Sequence, residues 1–83
     1  MAPRLKRLSG REVVKALHAL GFEVMSTRGR HAKLCRTPLK GGRQLLTVPI
    51  HKELATGTLR AIYRQACRFV PEAVLRPHFF HDD

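Results

Sequence analysis

The sequence predicts an α+β domain made of a helix, three antiparallel strands and a second helix. Three observations support this fold class: apolar residues recur at helical spacing near the start, alternate with polar residues in the middle, and return to helical spacing after residue 55. A chain of 83 residues has room for one small domain with a single core. Any ligand is therefore expected to bind on the surface.

The first helix is predicted by its capping signals. Ser9 and Glu12 stand three residues apart, as in a capping box, where each side chain binds a free backbone N–H of the first turn. Gly21 favours the end of the helix, because glycine tolerates a left-handed conformation. The apolar residues between these signals fall on one face: Val13, Val14, Leu17 and Leu20.

The middle of the chain is predicted to form a three-stranded meander. Alternation indicates a first strand at about 22–27 and a second at 31–36, joined by a tight turn at 28–30. A glycine-containing loop leads to a third strand around 46–50, in which Pro49 indicates an edge position or the end of the strand.

The second strand decides which side chains face the core. Successive side chains of a strand point to opposite faces of the sheet. If Ala32 and Leu34 point inward, the outer face carries the residues that alternate with them, namely His31, Lys33 and Cys35.

The last third of the chain is expected to hold the second helix and a tail. Thr56 or Thr58 can cap this helix, whose apolar face is formed by Leu59, Ile62, Tyr63 and Ala66. In the segment 71–83 a helical turn can form at 72–75 before Pro77 stops it, and a frayed end is expected after that.

The charge of the chain is strongly one-sided. Sixteen Lys and Arg stand against six Asp and Glu, a formal charge of +10, and there is no acidic residue between Val24 and Lys52. Such a surface suits a polyanion such as nucleic acid. The alternative is a merely solvated surface, although such surfaces usually mix both signs of charge.

Other classes of function receive little support. No apolar run approaches the ~20 residues that span a bilayer, and the start lacks the apolar core of a secretory signal, so we expect a cytoplasmic protein without membrane contact. Cys35 and Cys67 fit neither a disulfide framework nor a zinc site. With no cluster of metal ligands in the sequence, we expect no metal and no cofactor.

His31 is the candidate catalytic residue. It lies in the segment Arg28-Gly29-Arg30-His31-Ala32-Lys33, where three cations surround a group that titrates near neutral pH. RNA supplies its own nucleophile, the 2′-hydroxyl, so an imidazole and a few cations can suffice for cleavage. The alternative is a surface histidine that contacts phosphate but has no catalytic role.

Four segments make the sequence resemble the HicA family of bacterial toxins, which are messenger-RNA interferases. In order they are Leu17-His18-Ala19-Leu20-Gly21-Phe22, Arg28-Gly29-Arg30-His31, Val48-Pro49-Ile50-His51, and Gly57-Thr58-Leu59-Arg60-Ala61-Ile62-Tyr63-Arg64-Gln65-Ala66. The resemblance implies a fold similar to the double-stranded-RNA-binding domain, α-β-β-β-α, with both helices on one face of the sheet. In this family a small residue usually precedes the histidine, whereas Arg30 stands there in this chain.

The resemblance also implies a function. The chain is expected to be the toxin of a type II toxin–antitoxin system, a metal-independent mRNA endoribonuclease with His31 as general acid or base and an acidic HicB-like antitoxin as partner. The expected organisation is a basic lead at 1–8, the ribonuclease domain at 9–70 and a tail at 71–83. RNA contacts are expected from Arg28, Arg30, Lys33, Lys40, Arg43 and His51.

Two other classes of function stay open at this point. A non-catalytic RNA-binding module of the same fold would bind structured RNA by shape without cutting it. A DNA-binding regulator would need a recognition helix that enters the major groove, and no helix-turn-helix pattern precedes the second helix. The sequence does not decide the cleavage preference, the oligomeric state, or which proton His31 would transfer.

Overall fold

The computed structural model describes residues 4–81. Three strands, Glu23–Arg28 (β2), His31–Arg36 (β3) and Gln44–Pro49 (β4), form an antiparallel sheet in that order. Two short strands, Arg4–Leu5 (β1) and Phe80–His81 (β5), pair in a separate two-stranded ribbon. The predicted α+β class with its antiparallel meander is confirmed. None of the helices in this part of the chain is long and apolar enough to span a membrane. In chain order the elements are β1 Arg4–Leu5, α1 Gly10–Ala19, β2 Glu23–Arg28, β3 His31–Arg36, β4 Gln44–Pro49, α2 Thr56–Ala66, α3 Glu72–Phe79 and β5 Phe80–His81.

Helix α1 begins with the predicted capping box. The Glu12 backbone N–H donates to Ser9 Oγ at 3.1 Å, and the Ser9 backbone N–H donates to Glu12 Oε1 at 2.8 Å. These bonds to Ser9 lower the pKa of Glu12, because they stabilise the charged carboxylate. The stabilisation is present at neutral pH and is lost as the pH falls through that lowered pKa.

A two-residue turn joins β2 to β3, since Arg28 is paired with His31. Gly29 has a φ of 55°, and among residues 4–81 only glycines have a positive φ, so of the two turn residues only Gly29 has one. This is the pattern of a type II′ hairpin turn, whose twist matches that of the strands. The turn therefore fixes His31 as the first residue of the central strand.

The two helices α1 and α2 cover one face of the sheet, as predicted. Ala32 and Leu34 of β3 are buried, and so are Leu46 and Val48 of β4. Residues of both helices join them in one hydrophobic core: Val13, Leu17, Leu59, Ile62 and Ala66. On the outer face of β3, His31 and Lys33 are exposed whereas Cys35 is buried, and all six residues of β2 are exposed.

The predicted cap of α2 is wrong. Ala55 occupies the N-cap position and makes no side-chain capping bond. The helix starts at Thr56, with the Leu59 backbone N–H donating to the Ala55 carbonyl. Burial of the Leu59 side chain therefore sets this helix end without a hydroxyl cap.

The prediction that Pro77 stops the last helix is also wrong. Helix α3 continues through Pro77 to Phe79, and β5 then pairs with β1, so these residues are not frayed. Leu75 and Phe79 lie four residues apart and are fully buried. Their burial outweighs the single helical hydrogen bond that a proline so near the end of a helix omits.

Contacts between helices fix the position of α3. The Tyr63 hydroxyl donates to Glu72 Oε2 at 2.7 Å, which confirms Tyr63 as a core residue with its hydroxyl at the rim. Loss of solvent around the hydroxyl, together with this bond, raises the pKa of Tyr63. The Lys6 ammonium also donates to the Pro77 carbonyl at 2.9 Å.

Arg36, at the end of β3, holds two distant chain segments together. Its guanidinium donates to the Leu20 carbonyl at 3.2 Å and to the Phe69 carbonyl at 3.0 Å. The same group lies over the Phe22 ring, 5.5 Å from the centroid. Arg36 therefore ties the chain that leaves α1 to the chain that leaves α2.

We expect Arg36→Ala to lower the free energy of unfolding by about 2 to 4 kcal/mol, because two hydrogen bonds from a charged group are lost. Urea denaturation measures this loss. Arg36→Lys should recover little of it, since one ammonium cannot span both carbonyls. The control is Arg68→Ala at an exposed position, which should change stability by no more than ~0.5 kcal/mol. Equal midpoints for the Arg36→Ala and Arg68→Ala variants would contradict this role.

Gly10, the first residue of α1, packs directly against the end of β4. A Cβ at this position would overlap the Pro49 carbonyl oxygen and lie 2.7 Å from Ile50 Cα. Its backbone N–H donates to the His51 carbonyl at 2.9 Å. There is therefore no space for a side chain at position 10.

Gly10→Ala should lower the free energy of unfolding by about 3 kcal/mol, because the added methyl group forces α1 away from the end of β4. Thermal unfolding followed by circular dichroism measures the effect. Gly57→Ala is the matched control: an added Cβ there meets no atom within 4 Å, and alanine should stabilise α2 by about 0.5 to 1 kcal/mol. A Gly10→Ala variant as stable as the parent would refute the proposed close contact.

Candidate nucleic-acid interface

His31 lies on the open face of the sheet, at the end where the hairpin turns. It is paired with Arg28 on β2 and with Pro49 on β4. The side chain is exposed, while its neighbour Ala32 is buried. This confirms the predicted alternation, which places His31 and Lys33 on the face opposite the core.

A shallow depression of about 450 Å³ surrounds the imidazole. Lys33, two residues along β3 from His31, is paired with Ser26 on β2 and with Thr47 on β4. The structure therefore brings together three of the residues that the sequence singled out, and it adds two hydroxyl side chains. The lining is formed by Ser26, Arg28, His31, Lys33 and Thr47.

Sequence reasoning missed Ser26 and Thr47 as parts of this site. A bulge between Val24 and Ser26 shifts the register of β2, so that Ser26 lies opposite Lys33. No local signal in the sequence marks this bulge. Thr47 could have been found from the alternation of β4, because it stands between the buried residues Leu46 and Val48.

The chemistry of the depression is that of an anion site with one proton-transfer group. Its lining carries two permanent cations, Arg28 and Lys33, and no carboxylate. The His31 side chain is exposed, and among residues 4–81 no protein group hydrogen-bonds to its ring. The described residues also contain no group of three or more side chains that could hold a metal ion.

Arg30 and His51 lie in a second depression, beside the first. Its volume is about 750 Å³, and Ile50 forms part of its wall. The Ile50 backbone N–H donates to the Arg30 carbonyl, which joins the hairpin turn to the chain that follows β4. The lining consists of Ser9, Arg11, Arg30, Ile50, His51, Lys52 and Glu53.

Lys40 and Arg43 are not part of either depression. They lie in the loop between β3 and β4, at the opposite end of the sheet from His31. The length of β3 separates the two ends by about 17 Å, at about 3.4 Å per residue. The Arg43 guanidinium instead lies 3.9 Å from the sulfur of Met25.

Comparison with known proteins identifies the family of this chain. No curated protein matches the chain. Residues 10–66 match the family described as the HicA toxin of bacterial toxin–antitoxin systems. The match covers more than half of the chain and includes α1, the whole three-stranded sheet, both depressions except Ser9, and α2. The chain therefore belongs to the HicA toxin family, whose members act in toxin–antitoxin pairs.

Proposed function

We propose that this toxin is a metal-independent endoribonuclease that cleaves messenger RNA, with His31 as its proton-transfer residue. The observation that carries the proposal is the exposed imidazole between Arg28 and Lys33, in a depression open to a polymer. A nucleic-acid strand can lie across such a surface, whereas a deep pocket would admit only a small ligand.

The reaction uses a nucleophile that RNA itself supplies. The 2′-hydroxyl oxygen forms a bond to the adjacent phosphorus, and the bond from phosphorus to the 5′-oxygen breaks. The hydroxyl loses a proton and the 5′-oxygen gains one, which leaves a 2′,3′-cyclic phosphate and a 5′-hydroxyl. His31 carries one of these two protons, and water exchanges the other.

The residues around His31 have complementary roles. Arg28 and Lys33 hold the phosphate in place and offset the negative charge that grows on its oxygens in the transition state. The guanidinium of Arg28 can bind two phosphate oxygens at once, whereas Lys33 acts as a point charge. The hydroxyls of Ser26 and Thr47 can donate to phosphate oxygens or bind the ribose. Positioning by these groups aligns the 2′-hydroxyl with the bond that breaks.

The remaining basic residues extend the RNA-binding surface. Arg30 and His51 border the reacting centre, and Lys40 and Arg43 contact RNA at the far end of the sheet. The donor groups of the site are nitrogen cations and hydroxyls, a set that binds phosphate directly and suits catalysis without a metal.

The same surface supports a proposal for the protein partner. A one-sided positive charge favours rapid association with an acidic protein. The partner that fits is an acidic HicB-like antitoxin that covers His31 and its cations and so blocks access of RNA. Both the mRNA substrate and the antitoxin place this activity in the cytoplasm.

His31→Ala should reduce the cleavage rate of a labelled mRNA fragment by about 10²- to 10⁴-fold, the usual contribution of a general acid or base. Gel electrophoresis of the products, in buffer with excess EDTA, measures the rate and tests the independence from metal in the same assay. The matched control is His81→Ala, an exposed histidine outside both depressions, which should keep the full rate.

The outcomes separate the candidate functions. Intact RNA with the wild-type protein, together with tight binding, would make the protein a non-catalytic RNA-binding module. Equal cleavage by the wild-type and His31→Ala proteins would remove His31 from the mechanism. A substrate with 2′-deoxyribose at the cleavage position should resist the wild-type protein, since the nucleophile is missing.

RNA affinity should fall steeply as the salt concentration rises, because each neutralised phosphate releases counterions. At about 0.7 per phosphate on a single strand, three contacted phosphates give a slope of about −2 in log K against log [salt]. Fluorescence anisotropy with an uncleavable 2′-O-methyl RNA measures this slope between low and physiological salt. A flat dependence would refute binding through the basic surface.

A further inference from the structure

We propose that the second depression is a subsite for the next phosphate of the RNA strand, beyond the one at His31, and for the nucleotide that carries it, with that phosphate held by Arg30 and Lys52. This inference rests on the proposed function, because it extends the path of the RNA strand beyond His31. It makes the substrate a single strand of more than two nucleotides and gives Arg11 and Lys52 roles that the sequence did not indicate.

The composition of the depression suits a nucleotide. Three cations, Arg11, Arg30 and Lys52, face one carboxylate, Glu53, so the net charge of the lining is positive. Ile50 is half-buried and offers an apolar wall, against which the flat face of a base can pack. Ser9 and His51 add polar groups that can contact the sugar or the phosphate. At about 750 Å³ the space is large enough for a nucleotide.

The walls of the depression are held by the fold. The Arg30 carbonyl accepts a hydrogen bond from the Ile50 backbone N–H, and the Gly10 backbone N–H donates to the His51 carbonyl. These bonds join the hairpin turn, the end of β4 and the start of α1. The backbone positions that carry the cations are therefore set before RNA binds, which lowers the entropy cost of binding.

The chain connects this depression directly to the reacting centre. Arg30 and His31 are consecutive residues, so their Cα atoms lie about 3.8 Å apart. His31 opens onto the first depression and Arg30 onto the second. A strand with its cleaved phosphate at His31 therefore brings its next phosphate to the second depression, whereas a dinucleotide has no second phosphate for Arg30 and Lys52 to bind.

The test compares RNA length with single variants. Two uncleavable 2′-O-methyl RNAs, a dinucleotide and an octanucleotide, are titrated into the full-length protein and followed by NMR amide shifts. Both should move the Arg28 and His31 amides, and only the octanucleotide should also move those of His51 and Lys52. Lys52→Ala should weaken octanucleotide binding about three- to fivefold, the size of one exposed ion pair, and leave dinucleotide binding unchanged.

Lys15→Ala is the matched control, since Lys15 is an exposed lysine on α1 outside both depressions. It should leave the affinity for either RNA unchanged. If Lys52→Ala and Lys15→Ala bind the octanucleotide equally well, or the His51 and Lys52 amides do not move, the subsite is refuted.

The cleavage assay distinguishes this failure from failure of the proposed function. A wild-type protein that cleaves RNA, with no effect of Lys52→Ala on octanucleotide binding, refutes the subsite alone. A wild-type protein that cuts no RNA, but shows the predicted dependence on length and on Lys52, refutes the nuclease and supports the subsite.

Discussion

The register of the central strand β3 is the constraint on which both the core and the candidate site depend. Ala32 and Leu34 are buried beneath the helices, and this burial turns His31 and Lys33 to the opposite face. A slip of one residue would bury a lysine and an imidazole in an apolar core, at a large cost in free energy. The burial that forms the core therefore also sets the face on which the imidazole lies, and no polar group among residues 4–81 hydrogen-bonds to the ring.

Features encoded by neighbouring residues were predictable from the sequence. The limits of β3, the capping box at Ser9 and the alternation from His31 to Leu34 follow from local patterns and agree with the structure, whereas Cys35, expected on the outer face, is buried. Arg28, His31 and Lys33 could be grouped for the same reason, because the hairpin between them is a two-residue turn that requires little beyond Gly29. The central part of the site is thus largely a local property of residues 28–33.

Features that depend on distant contacts were not predictable. Helix α3 continues through Pro77 because Leu75 and Phe79 pack into a core formed mostly by earlier elements. Strand β5 pairs with β1, which lies about 75 residues earlier in the chain. The sequence does not distinguish Arg36 from the surface cations around it, but in the structure its guanidinium donates to the Leu20 and Phe69 carbonyls. Arginine patterning alone cannot separate a cation that holds the fold from one that binds a ligand, because both occur in the same basic stretch.

The position of Arg30 shows how one turn residue can alter a site without blocking it. Relatives were expected to carry a small residue there, and a long side chain directly before the histidine could have filled the space over the imidazole. Arg30 is instead the second residue of a type II′ turn, so it lies beyond the strand and lines the second depression, while the first contains His31 without it. Arg30 thus leaves the space at His31 open and adds a cation to the adjacent surface. Its effect should therefore appear in the affinity for longer RNA, where charge matters, and much less in the proton transfer at His31.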